Sequence, residues 1–293
     1  MKPGIYPALS WDDYCQIDLP SPSLLKHGLR SMRRLKRAMN GECQPDEKTV
    51  AVGSAVHAMV SGEFEDRCAL MPAFETHAEN LTTTGKPSKA KTTTYYKDSV
   101  TAFKNDNASK VILSEVQLNT ARKAHDRLLS NQTAVEMIQQ SELEVTVIGE
   151  IEGVLCKTRL DGLVRSGPPR AWDLKTTNDI DPIKLYKSFK SKSYFFQFAF
   201  HSLILQNAGD DWVQLQAYDV IALETQDDYD VGVIHILPWD IIDSWEKKVA
   251  EVVHNYGLCR RADRWPGLYP LETDVIRVPN WDMTPAETGG VEV

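Results

Sequence analysis

Val154-Leu155-Cys156-Lys157-Thr158-Arg159-Leu160-Asp161, then Ser166-Gly167-Pro168-Pro169, then Arg170-Ala171-Trp172-Asp173-Leu174-Lys175-Thr176 is the stretch that decides the fold. Val154–Val164 and Arg170–Thr176 read as strands, and the Gly-Pro-Pro segment between them reads as a turn. Residues two apart on a strand share a face. Asp173 and Lys175 therefore point one way, and Trp172 and Leu174 point into the opposite layer. An antiparallel hairpin brings Asp161 alongside Asp173. Two carboxylates and one ammonium then meet at one end of a sheet. Asp-x-Lys alone is a common tripeptide whose ordinary reading is a surface ion pair. The third residue at hairpin distance and the apolar flanks favour chemistry instead. Mg²⁺ prefers one or two carboxylates together with waters and a substrate phosphate. Bound metal acidifies a water and neutralises phosphoryl charge, and a lysine beside it stabilises the negative charge that develops.

Outward from the hairpin, Leu143, Val145 and Val147 alternate with polar residues as a preceding strand. Residues 182–207 read as an aromatic-rich helix, and residues 212–223 and 231–237 as further strands. Upstream, the spacing predicts helices over 22–39, 49–62 and 114–140, with a loop over 76–94. Gly53, Ser54 and Ala55 are small enough for another backbone to approach the 49–62 helix closely. Strands joined by short turns pair antiparallel, whereas the strand after the 182–207 helix can pair in parallel through a crossover. The expected fold class is α/β, a mixed central sheet flanked by helices with a helical N-terminal part. We expect one domain over 1–278, mainly helical over 1–140 and carrying the catalytic sheet over 141–278. A flexible tail is expected over 279–293, where Pro, Gly and acidic residues accumulate.

The 293 residues and 42% apolar content suit a soluble protein with a sizeable core. No apolar run is long enough to span a bilayer, and the N-terminus lacks the apolar stretch of a secretory signal. A cytoplasmic protein with no membrane partner is expected. The five cysteines are scattered without a CxxC pair, which excludes zinc ribbons and fits a reducing compartment. A net charge of −8 argues against polyanion binding on average. Residues 21–41, however, hold Lys26, Arg30, Arg33, Arg34, Lys36 and Arg37 and no carboxylate. Such a cluster is either a solvated helix face or a surface that steers a polyanion.

The spacing Asp161…Asp173-x-Lys175 on a hairpin, followed by Tyr194-Phe195-Phe196-Gln197 on a helix, resembles the PD-(D/E)XK nuclease superfamily. The resemblance narrows to RecE-type phage and prophage exonucleases, also called exodeoxyribonuclease VIII. It is carried in order by Gly4-Ile5-Tyr6, Leu9 to Tyr14, Ser21 to Leu25, Gly53 to His57, Gly153 to Asp161, Asp173 to Thr177 and Tyr194-x-x-Gln197. It implies a PD-(D/E)XK core and assigns roles. Asp161 and Asp173 would bind metal with His57 and the Leu174 carbonyl, and Lys175 would be the catalytic lysine. Gln197 and Tyr194 would support the site or touch DNA. Glu142 matches an acid often found at the head of the first strand. His201 stands where the family more often has Tyr, and Glu144 where it has a small polar residue; both are expected to lie outside the metal set.

The implied activity is Mg²⁺-dependent digestion of linear double-stranded DNA from its ends, with Mn²⁺ able to substitute. Digestion would run 5′ to 3′ in the host bacterial cytoplasm, exposing 3′ single strands for a single-strand annealing protein. A homo-oligomer is also implied. A Cas4-like or restriction-type endonuclease is the main alternative. Its iron–sulfur branch is disfavoured because only Cys259 lies near the C-terminus. A non-catalytic DNA-binding protein would not need Asp161, Asp173 and Lys175 together. A two-carboxylate glycosidase gives the lysine no role.

Overall fold

The chain reverses at Glu152-Gly153, where both residues take positive φ, 50° and 72°. A two-residue turn of this kind matches the right-handed twist of the strands it joins. It sets the register of the longest hairpin, in which Ile151 faces Val154 and Val145 faces Leu160. The computed structural model describes residues 1–43, 47–226, 228–236 and 242–268. The expected tail from 279 lies outside the described residues.

The chain opens with β1 (Gly4–Tyr6) and the short helices α1 (Trp11–Gln16), α2 (Pro22–Leu25) and α3 (Met32–Met39). Next come α4 (Glu47–Val60), α5 (Phe64–Arg67), β2 (Cys68–Leu70), α6 (Thr94–Asp106), β3 (Val111–Leu113), α7 (Glu115–Leu129) and α8 (Gln132–Gln139). The second half holds β4 (Glu142–Ile151), β5 (Val154–Val164), β6 (Arg170–Thr177), α9 (Pro182–Ser191), α10 (Tyr194–Gln206), β7 (Ala217–Glu224), β8 (Val231–Ile236) and α11 (Asp243–Ala262).

The main sheet has strand order β1-β4-β5-β6-β7-β8. Among the described residues only its β6–β7 pair is parallel, reached through the α9–α10 crossover as the chain order requires. The mixed α/β fold expected from the sequence is the fold observed. The N-terminal part also contributes short strands. It lends β1 to the edge of the main sheet and forms a separate parallel pair, β2–β3.

Three long helical patterns are each broken by local chemistry. The 22–39 segment narrows to a 3-10 turn at Lys26–Leu29, and α3 restarts where the Ser31 hydroxyl accepts the Arg34 amide. The 114–140 segment divides where the Asn131 side chain caps α8 by accepting the Ala134 amide. The 182–207 segment divides at Ser193, whose φ of 59° is left-handed.

The sheet separates two apolar layers. Phe196, Phe198 and Phe200 of α10 pack with Val220, Ala222 and parts of α11 on one face. Trp172, Leu174, Ile221 and Leu223 meet α4, α7 and α8 on the other. A fully buried aliphatic or aromatic side chain contributes roughly 1.5–3 kcal/mol, so these layers hold β6 firmly from both sides. Trp172 and Leu174 thus face the layer opposite Asp173 and Lys175, as the pleat predicts. Among the described residues, no helix is long and apolar enough to cross a membrane.

Candidate active site

The β5–β6 ladder has three rungs, from Val164–Arg170 to Gly162–Trp172. The next rung would pair Asp161 with Asp173. There the strands part, and the Asp161 carboxylate accepts the Leu174 amide at 2.6 Å. The N–H and C=O of a strand residue point to the same neighbour. The Leu174 carbonyl therefore faces the same parting of the strands.

Helix α4 delivers His57 to this point, because Gly53 lets the helix lie against β6. A Cβ at position 53 would stand 2.7 Å from the Thr176 hydroxyl. His57 Nδ1 lies 3.4 Å from Asp161 Oδ1. Asp173 is buried and ion-paired with Lys175, and Gln197 of α10 donates to its Oδ1 at 3.0 Å. The Tyr194 ring lies under the Lys175 ammonium, 4.5 Å from centroid to Nζ. The structure thus brings His57, Asp161, Asp173, Leu174, Lys175, Tyr194 and Gln197 together.

Glu142 is not among them. It is bidentate to Arg165, with both bonds at 2.8 Å, at the other end of that rung series. Its place is taken by Glu144, contrary to the expectation that Glu144 lies outside the metal set. One ligand atom each from His57, Glu144 and Asp161 falls within 4.8 Å of the others. The reason is register. Counting back from the Glu152-Gly153 turn places 144 opposite 161, while Glu142 faces Leu163. Glu144 has a φ of 53°, a strained backbone for a non-glycine residue. Its carboxylate is held there by Arg159 at 2.6 Å and Arg67 at 3.3 Å. Both arginines also reach Glu63, and Arg67 stacks on Trp11. His201 does lie away from the metal set, buried beside the Tyr218 hydroxyl at 2.7 Å.

The electrostatics follow from packing several charges out of water. Burial pushes Asp161 up, but the His57 charge and hydrogen bond, Lys175 and the Leu174 amide outweigh it and hold Asp161 at about 2. Burial carries Asp173 to about 6 against the pull of Lys175, with Asp161 adding repulsion. Burial raises Glu144, and the Asp161 charge adds to the rise. For His57, burial works downward, and the attraction of Asp161 reverses it to a raised value. Lys175 is likewise raised, its burial outweighed by Asp173 and Asp161. The Glu144 and Asp161 carboxylates and the His57 imidazole converge, with the Leu174 carbonyl facing the same gap between strands, and form an oxygen-rich donor set suited to a hard divalent cation.

The site opens on a cleft of about 1080 Å³. Lys26 lines it from the 3-10 turn, Arg30 from the residue that ends that turn, Arg34 from α3 and Lys192 from the end of α9. None of these four has a carboxylate partner among the described residues. Burial and the nearby Lys175 charge lower the Lys26 pKa, as befits a cation left without a counter-ion. The rest of the basic cluster is engaged elsewhere. Arg33 lies against Gly267, Lys36 over the Trp265 ring, and Arg37 pairs with Glu42.

Residues 21–269 match the family described as a PDDEXK-like domain of unknown function (DUF3799). Among solved structures, the fold is similar to a protein described as "Putative exonuclease" from Eubacterium rectale. Identity is 14%, with 93% of this chain and 96% of that chain covered and a TM-score of 0.58. A second structure, of SSO0001, aligns over 74% of this chain and 89% of that chain at 10% identity and a TM-score of 0.31. No curated protein matches the chain in sequence.

Proposed function

The chain belongs to the DUF3799 family of PDDEXK-like domains, and we propose that it is a divalent-metal-dependent deoxyribonuclease digesting linear duplex DNA from its ends. The carrying observation is the placement of His57, Asp161 and Lys175 at the base of a cleft, with Asp173 buried behind Lys175, and a cleft wall that holds four cations without carboxylate partners among the described residues. A phosphodiester backbone would supply the missing counter-charges.

His57, Asp161, Asp173 and the Leu174 carbonyl would hold Mg²⁺, or Mn²⁺ in its stead, with Glu144 beside them. Bound metal would acidify a water and neutralise the phosphoryl oxygens. The protein's own groups do the rest. Lys175 orients the attacking water and offsets the charge that develops. Asp173 and the Tyr194 ring fix the ammonium, and Gln197 fixes Asp173. Attack in an exonuclease needs a chain end, and the described likeness to an exonuclease fold favours end-dependent digestion over internal cutting. Under this reading digestion runs 5′ to 3′ and leaves 3′ single strands for an annealing protein. The working form is a homo-oligomer.

The test uses end-labelled linear, nicked and closed circular duplexes with Mg²⁺ or EDTA. Linear DNA should shorten from its ends in Mg²⁺ alone, and Asp173→Ala or Lys175→Ala should stop it with the fold intact. Cutting of closed circles, or digestion that survives both substitutions, defeats the reading.

A further inference from the structure

On the other face of the sheet, Asp219 of β7 is buried on the rung between Trp172 of β6 and His235 of β8. Arg170 donates Nε and Nη2 to its Oδ2 at 3.1 and 2.7 Å, and His235 Nδ1 meets its Oδ1 at 2.6 Å. Arg170 and His235 are themselves about half exposed, at 42% and 47%. Burying a carboxylate this way is no more stable than an apolar residue of the same size. What it does achieve is orientation, because each partner is held by one edge with its remaining nitrogens turned outward.

Those nitrogens edge a cavity of about 310 Å³ between α8 and β6–β8. Met137, Val164 and Val233 give it apolar walls. Glu136, whose Oε1 accepts from Gln132, lies at the margin as a further acceptor. The volume is at the small end of the range for small-molecule sites. Arg170 is five residues from Lys175 on β6, roughly 16 Å along the strand at the usual rise, and on the opposite face. The cavity shares no polar group with the cleft.

We propose that this cavity is a second ligand site, for a nucleoside monophosphate. Its phosphate sits on Arg170 and His235 and its base against the apolar walls. An anchored guanidinium suits phosphate oxygens, and the walls suit a planar ring. The site does not depend on the nuclease reading, and its test is run without metal.

The probe is 2′-deoxyadenosine 5′-monophosphate added to the full chain, read from the His235 ring proton by NMR and assigned with His235→Asn. The expected result is a saturable shift, with inorganic phosphate and deoxyadenosine each at least about tenfold weaker. Arg170→Lys keeps a cation on Asp219 but loses the fork, and should weaken binding roughly tenfold. Thr133→Trp on the exposed surface of α8 fills the cavity without touching the Asp219 pairs, and should abolish the shift. No saturable shift, equal binding of inorganic phosphate, or undiminished binding in Thr133→Trp overturns the proposal. Displacement of the nucleotide by a duplex lacking terminal phosphates would assign the site to the DNA backbone and also overturn it.

Discussion

Replacing Arg30 and Arg34 together with Gln tests whether the cleft carries the DNA. Each phosphate contact made by a cation contributes about −0.9 to the slope of log K against log salt. Among the described residues, Lys26, Arg30, Arg34 and Lys192 line the cleft without carboxylate partners, so together they should account for a slope of about −3.6. The double variant should bind linear duplex with a slope shallower by about 1.8. Extrapolated from about 1 M salt, where the electrostatic gain vanishes, each lost contact costs about fivefold in affinity near 0.15 M, and the pair about thirtyfold. The assay is fluorescence anisotropy of a labelled duplex across a salt series in EDTA, which prevents digestion. Arg33→Gln is the internal control, because Arg33 lies against Gly267 and does not line the cleft. Its slope should match the unaltered protein. A double variant with an unchanged slope, or an Arg33 variant that behaves like the double, refutes the path through the cleft.

Glu144→Gln should weaken Mn²⁺ binding tenfold or more, roughly the effect of disturbing groups that support metal ligands; calorimetry giving an unchanged Kd would reduce Glu144 to a partner of Arg67 and Arg159. Gly162→Ala should destabilise the fold by about 1–3 kcal/mol. Its Cβ would stand 2.2 Å from the Trp172 ring, which is pinned by a 2.7 Å bond to Ser141. Urea unfolding with an unshifted midpoint would count against that packing. His201 is buried and lowered to about 3. Below its ordinary 6.5 the unfolded chain takes up a proton that the native chain refuses, so stability is full above pH 6.5 and falls toward pH 3. The loss approaches about 1.4 kcal/mol per pH unit from this group alone. Stability measured against pH should therefore fall less steeply across that window in His201→Gln, by about one proton's worth.

The parts of the molecule legible in the sequence are those with strong periodicity or a closed turn. The β5–β6 hairpin, the opposed faces of Trp172 and Asp173, and the parallel crossover to β7 follow from a two-residue pleat and chain order. What escaped is set by geometry that periodicity does not carry. β1 is three residues long and shows no alternation; its partner is β4, about 140 residues away. The breaks at Asn131 and Ser193 lie inside continuous apolar patterns, where a capping side chain and one left-handed residue override the helical period. The helix α11 carries a helical burial pattern at Val249, Val252, Val253 and Tyr256, which the same criterion that identified the other helices would have found.

Glu144 is the instructive case, because its signal was present. Glu152-Gly153 between two alternating runs is a two-residue turn, and such a turn fixes which residues oppose. Counting outward from it sets Glu144 against Asp161 and Glu142 against Leu163. Similarity to a motif pointed to an acid near the head of the strand; register points to the other one. The same counting explains why three of the six cations in 21–41 miss the cleft. Their helical pattern is interrupted at Lys26–Leu29, so a single helical wheel over 22–39 does not describe where they point.

The parting of β5 from β6 links fold to chemistry. At that rung the Leu174 amide is satisfied by the Asp161 carboxylate instead of a strand carbonyl. One side chain therefore ends the ladder, keeps a buried N–H from losing its partner, and presents its other oxygen to His57. An unpaired buried amide costs about 1–3 kcal/mol, so removing Asp161 would damage architecture together with any metal site. Asp173 and Lys175 form a buried ion pair, so removing either leaves the other's charge uncompensated, although their strand is pinned by eight residue pairs with β7. A loss of digestion at Asp173 or Lys175 therefore reports on the reaction once the variant's urea midpoint shows it folded, whereas a loss at Asp161 reports on the reaction and the ladder together.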